Sequence, residues 1–168
     1  GELLLRGPSV MKGYHNQPEM AAEVIDSDGW LHTGDIAKID KSGHMYITGR
    51  IKNMIVLQGG KKVFPEEVEA LIEKSHYVSE VCVLGTSRNF GSKDGTEEVT
   101  AVIVPKVELY KTYSDDDVER MIRLDVKSLS EQLAHYKRPT SIIISKEELP
   151  KTTTRKVKRK ELRELMGV

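Results

Sequence analysis

Only one cysteine, Cys82, occurs in the 168 residues, so no disulfide can close within the chain. It lies in the apolar run Val78 to Leu84, reads as a small core residue, and leaves a cytoplasmic location open. Aromatic residues are scarce at 5%, and no RNA-binding signature accompanies them. Net charge is absent too: 26 Lys and Arg balance 26 Asp and Glu, so no whole-molecule field points to nucleic acid or anionic lipid. No apolar run approaches the roughly 18 residues that a membrane-spanning helix needs. An initiator Met and a signal-like segment are both missing at Gly1, and the expectation is a chain cut from something longer.

What is present suits a modest core. With 38% apolar and 31% charged residues, the length fits one domain, or a small domain with a piece of another. Glu2 to Arg6 reads as a short strand, Val10 to Tyr14 as a second, and Pro18 to Val24 as a short helix capped by Asn16. Ile36 to Asp40 and His44 to Thr48 alternate across Lys41-Ser42-Gly43, which predicts a hairpin. Beyond it, Met54 to Leu57 is an apolar strand, and Gln58 to Lys62 breaks both periodicities. A helix follows, with Pro65 at its first position, Glu66 and Glu67 at the positive end of its dipole, and Val68, Leu71 and Ile72 on one face.

Val78 to Gly85 and Val99 to Val104 are β-branched strands, and the polar stretch Thr86 to Glu98 is an excursion between them. Ser114 opens the longest helix, along which Val118, Met121, Ile122, Val126, Leu129 and Leu133 keep helical spacing. Pro139 to Ser145 gives a last strand and Lys158 to Leu165 a last helix. The fold class is α+β: a small domain over residues 51–168, with a short sheet flanked by helices, preceded by a strand-rich piece over residues 1–50.

Three places carry chemistry. In Thr33-Gly34-Asp35 a carboxylate beside a glycine can accept from two neighbouring hydroxyls, such as a ribose pair, although for the tripeptide by itself a turn with a capping Asp is the plainer reading. The second runs from Gly49-Arg50 to Gly59-Gly60. Arg50 offers a planar donor fork to a hydroxyl or phosphate, or simply a surface ion pair, and the paired glycines allow close approaches that a Cβ would block. In the third, residues 151–163, seven Lys or Arg oppose only Glu161. Such a lysine can neutralise a phosphate or carboxylate in transfer, and a solvated basic tail is the plainer reading.

In this order, GELLLRGPSVMKGYHNQPE, GWLHTGD, GRIKNMIVLQGGKKVFPEEVE, LAHYKRP and LPKTTTRKVKRKEL resemble the end of an acyl-adenylate-forming (AMP-binding) enzyme over essentially the whole chain. GWLHTGD is more similar to the acyl-CoA synthetases than to peptide-synthetase adenylation domains. GGKKVFPEEVE further resembles long-chain fatty acid–CoA ligases.

The resemblance implies a fold and a set of roles. Residues 1–50 would be the trailing part of the large N-terminal AMP-binding domain, and residues 51–168 the mobile C-terminal lid. Asp35 would hold the ribose hydroxyls of the adenylate and Arg50 the same ribose. Lys52 would be the hinge about which the lid swings between two half-reactions. Gly59 and Gly60 would line the tunnel for the pantetheine arm of CoA, and Lys156 would contact the acyl carboxylate and α-phosphate during adenylation. Arg155 stands where the family usually has Gly, which leaves Lys151 and Lys158 as alternatives to Lys156.

The implied substrates are a fatty acid, ATP (leaving as AMP) and CoA. Mg²⁺ would be held mainly by the N-terminal domain, and no residue here is assigned to a metal. The full-length enzyme would be cytoplasmic, with peripheral membrane association, and the fragment by itself would lack a complete active site. Two other readings are an adenylating enzyme that loads a carrier protein and a non-enzymatic module that binds through its basic tail.

Overall fold

The computed structural model describes residues 1–87 and 97–167, and the chain divides into two compact units, Gly1–Asn53 and Met54–Val168. In the first, β1 (Glu2–Leu5), β2 (Leu31–Ile39) and β3 (Met45–Arg50) form an antiparallel sheet in that order. The hairpin expected at Lys41-Ser42-Gly43 is present: Asp40 Oδ1 accepts from the backbone N–H of Ser42 at 2.8 Å and of His44 at 3.0 Å. A turn that satisfies its own amides in this way closes without help from a core.

Two expectations fail in this unit. Val10 to Tyr14 is not a strand, because Gly13 at φ +149° takes the chain out of extended geometry and Tyr14 bridges only Gln17. Asn16 does not cap α1 (Pro18–Val24): it occupies a left-handed position at φ +53°, which Asn tolerates, and Gln17 stands at the N-cap without a side-chain bond. Pro18 at the first position, with φ already fixed, is what starts the helix.

In the second unit a ribbon of β4 (Ile55–Val56) and β5 (Lys62–Val63) leads into α2 (Pro65–Ile72). The central sheet then pairs β6 (Val78–Ser87) antiparallel to β7 (Glu97–Pro105), and β7 parallel to β8 (Ser141–Ile144). The middle of the expected polar excursion, residues 88–96, lies outside the described residues. Before β8 runs α3 (Asp115–Ser130), its cap in place, since Ser114 Oγ accepts from the Asp117 amide at 3.2 Å. The helix stops at Ser130, short of Leu133. Leu133 is buried all the same, because a turn closed by its amide on the Ser130 carbonyl keeps it against the sheet.

Alternation along β6 and β7 builds two cores. Val81, Val83, Val99, Ala101 and Ile103 face α2 and α3, where Val68, Ile72, Val118, Ile122 and Val126 are buried. Cys82, Leu84, Val102 and Val104 face the other way, onto Leu149 and onto Leu162 of α4 (Arg159–Met166). A sheet covered on both faces accounts for strands that read as continuous apolar runs. Among the described residues no helix is long and apolar enough to cross a membrane.

Candidate functional site

Asp35 sits in β2 directly opposite Arg50 of β3. The Arg50 Nε–H donates to Asp35 Oδ1 at 2.7 Å, and another guanidinium nitrogen donates to the Thr33 carbonyl at 3.4 Å. The backbone around Asp35 is held from β1. Glu2 accepts the Gly34 amide at 3.0 Å through one oxygen and meets His32 Nδ1 at 3.1 Å through the other. Thr33 Oγ1 donates to the Leu3 carbonyl at 2.7 Å and accepts the Asp35 amide at 3.1 Å. Gly34 between them takes φ +71°, a conformation that glycine adopts without strain. Glu2, His32, Thr33, Arg50 and Lys52 line a groove of about 690 Å³ in this unit.

The carboxylate of Asp35 keeps Oδ2 without a hydrogen bond among the described residues, so it has an acceptor to offer a hydroxyl. Lys52 lies in a 3₁₀ turn, Ile51–Asn53, at the end of the first unit, and is exposed.

Gly59 and Gly60 form the tip of the β4–β5 ribbon. The Leu57 amide donates to the Lys61 carbonyl at 2.9 Å, and the Gly60 amide to the Leu57 carbonyl at 3.0 Å. Both glycines are left-handed, at φ +79° and +74°, and a Cβ on either would meet nothing within 4 Å. Backbone conformation, not crowding, therefore calls for glycine here. Lys61 and Lys137 place their ammonium groups 5.1 and 6.0 Å from the Tyr136 ring centre, and Lys137 also pairs with Glu67 at 2.7 Å.

Lys156 is carried on a tight loop before α4. The backbone bridges Lys151 to Val157, the Thr152 amide donates to the Lys156 carbonyl at 2.8 Å, and the Lys156 amide donates to Thr152 Oγ1 at 3.1 Å. Arg155, next to it, has φ +63°, the left-handed region where a glycine is unstrained. The three competing lysines are not equivalent. Lys151 is ion-paired with Glu80, whose hydrogen bond raises its pKa, and Lys158 pairs with Glu161 at 2.9 Å. The Lys156 side chain is exposed, and its ammonium has no partner among the described residues.

Asp35 and Arg50 thus come together, Gly59 and Gly60 share one turn, and Lys156 stands on a loop of its own. Sequence reasoning missed Glu2, Glu80, Glu69 and Arg159, which hold these segments. Arg159 was legible: it lies three residues before the buried Leu162 on α4, on the inward side of the helix. Its guanidinium bonds Glu69 at 2.7 and 2.9 Å. Burial works against its charge, but Glu69, with Cys82 and Glu66 adding to it, raises the pKa on balance. No cluster of three or more His, Cys, Asp or Glu side chains suited to a metal ion occurs among the described residues.

The family model of the AMP-binding enzyme C-terminal domain matches residues 52–166. The chain belongs to this family, within the acyl-adenylate-forming superfamily. It is 38% identical over 164 residues to the 3-[(3aS,4S,7aS)-7a-methyl-1,5-dioxo-octahydro-1H-inden-4-yl]propanoyl:CoA ligase of Rhodococcus jostii (strain RHA1), covering 98% of this chain and 29% of that protein. It is also 38% identical over 164 residues to a long-chain-fatty-acid–CoA ligase of Bacillus subtilis (strain 168), covering 98% of this chain and 26% of that one. Among solved structures, the anthranilate CoA ligase AuaEII in complex with anthranoyl-AMP superposes with a TM-score of 0.78 at 30% identity, over 98% of this chain and 30% of its own. The chain therefore spans less than a third of the length of these CoA ligases, which act on different acids.

Proposed function

We propose that this chain is the C-terminal part of an ATP-dependent acyl-CoA synthetase, with residues 1–50 closing the large nucleotide-binding domain and residues 51–168 forming the mobile lid. In the first half-reaction the carboxylate of the acid attacks the α-phosphorus of ATP, the bond to pyrophosphate breaks, and acyl-AMP forms. In the second the CoA thiol attacks the acyl carbonyl, the acyl–phosphate bond breaks, and AMP leaves.

The observation that carries this reading is the uncommitted ammonium of Lys156, beside two lysines already held in ion pairs. It is free to offset the charge that develops on the phosphate. Asp35 with its open oxygen and Arg50 would receive the ribose. Gly59 and Gly60, which leave their turn clear of side chains, would border the pantetheine arm. Mg²⁺ would screen phosphate charge and be held mainly outside this chain.

For the acid we favour a long-chain fatty acid, on the Gly59–Glu69 motif and the Bacillus subtilis relative. The test is thioester formation by the full-length protein across carboxylic acids of increasing chain length. A maximum at long chains is expected, and residues 1–168 alone should form no product. Lys156→Ala should lower acyl-AMP formation by roughly a hundredfold to a thousandfold while sparing thioester formation from supplied acyl-AMP. Equal loss in both half-reactions would argue against the lysine's role, and a preference for aromatic acids would overturn the substrate.

A further inference from the structure

Glu80, Cys82 and Leu84 share the α4-facing side of β6 by strand alternation, and the loop that bears Lys156 crosses that side. Both legs of the loop are fastened to it. On the incoming leg Glu80 accepts the Leu149 amide at 3.1 Å and takes the Lys151 ammonium on its other oxygen. On the outgoing leg Arg159 donates to the Val83 carbonyl and to Cys82 Sγ, each at 3.0 Å, and grips both oxygens of Glu69 on α2. These anchors are shielded: the Glu80 and Glu69 side chains are 17% and 13% exposed, and Arg159 23%. Between them the loop closes on itself, with the Lys158 amide donating to the Pro150 carbonyl at 2.8 Å.

We infer that Glu80 and Arg159 are positioning residues for Lys156, pinning the two legs of its loop to one strand so that a side chain without partners of its own still projects from a fixed base. The inference rests on the adenylation role proposed for Lys156. A long, exposed lysine on a free loop would spread its ammonium over many positions, and a misplacement of about 1 Å can cost on the order of a hundredfold in rate. Neither residue touches substrate in this scheme. Each acts through the loop.

The experiment uses the full-length protein and measures the half-reactions separately, as pyrophosphate release without CoA and as thioester formation from supplied acyl-AMP. Glu80→Gln keeps an acceptor for the Leu149 amide but loses the charge that holds Lys151, and Arg159→Lys keeps charge but loses the fork. Each should lower adenylation by about tenfold or more and leave thioester formation within about twofold. In a Lys156→Ala background the same changes should lower adenylation by less than about twofold further, because residues acting through one group are not additive.

Equal losses in both half-reactions, or losses that multiply with Lys156→Ala, would overturn the inference and leave the anchors as structural. If Lys156→Ala itself spares adenylation, the adenylation role proposed for Lys156 fails instead. If Lys156→Ala behaves as expected while both anchor variants match the unaltered protein, only the pinning is wrong. Should Arg159→Lys not fold, Glu80→Gln decides alone, since its contacts lie on the other leg.

Discussion

Arg50 and Asp35 face each other across β2 and β3, with Nε 2.7 Å from Oδ1, while half of the guanidinium side chain remains in solvent. An exposed pair of this kind contributes about 0–1 kcal/mol to stability, so its geometry serves position more than folding. Asp35→Asn and Arg50→Met in the full-length protein should each move the unfolding midpoint by less than about 3 °C. Adenylation should fall by about tenfold to a hundredfold, the equivalent of losing one hydrogen bond to a charged group. Thermal unfolding alongside pyrophosphate release checks both. Unchanged adenylation with a lowered midpoint would make the pair a plain sheet contact.

Arg155 holds φ at +63° immediately before Lys156. A left-handed residue other than glycine costs about 1–2 kcal/mol, part of which a glycine gives back through its freer unfolded chain. Arg155→Gly should therefore stabilise the protein slightly, raising the midpoint by up to about 3 °C for a unit of this size. Calorimetry is the measurement. A lower midpoint would mean that Arg155 has contacts that more than offset its conformation.

Cys82 is 1% exposed, and burial pushes its thiol up to about 12 from an ordinary 9.0, with Arg159 pulling the other way. A pKa raised by folding means that the unfolded chain loses its proton first. The associated stability is complete below pH 9.0 and is lost as pH climbs toward about 12. Stability measured in denaturant should decline across that window more steeply in the native sequence than in Cys82→Ala. Ellman's reagent at pH 8 should label the folded protein slowly and the urea-unfolded protein at once. Rapid labelling without unfolding would contradict the burial.

Local chemistry made the hairpin at Asp40, the α2 start at Pro65 and the Ser114 cap legible, because each is decided by residues a few positions apart. The two cores were legible in outline from β-branched runs, but not which strand residue faces which helix. That follows from register, which no single strand contains. Strand β5 escaped notice since Lys62–Val63 is too short to show alternation. The anchors of the Lys156 loop escaped for a different reason. Glu80 and Lys151 are 71 residues apart and Glu69 and Arg159 are 90, distances over which charge pairing leaves no periodic mark. That Lys151 and Lys158 are ion-paired, while the Lys156 ammonium has no partner among the described residues, is likewise a difference that the sequence does not carry.

Lys52 occupies the middle of the 3₁₀ turn Ile51–Asn53, where the first unit ends. If this is the pivot, fixing the turn should arrest the swing, and the choice of position matters. Proline at 52 would push Ile51 out of the helical region and break the turn, whereas Ile51→Pro puts the ring where such turns favour it, after an extended Arg50. Ile51→Pro in the full-length enzyme should then preserve the half-reaction that belongs to this turn conformation and depress the other by about tenfold or more. Gly60→Leu separates movement from obstruction when Gly60→Ala is run beside it as the control for the strain that any side chain carries at φ +74°: a Cβ there meets nothing within 4 Å, so the further bulk of leucine would project from the turn and hinder thioester formation while acyl-AMP still forms. Protease cleavage within residues 49–53 reports the movement directly, and should slow in Ile51→Pro but not in Gly60→Leu. Equal rates of both half-reactions in Ile51→Pro, with cleavage unchanged, would place the pivot away from Lys52.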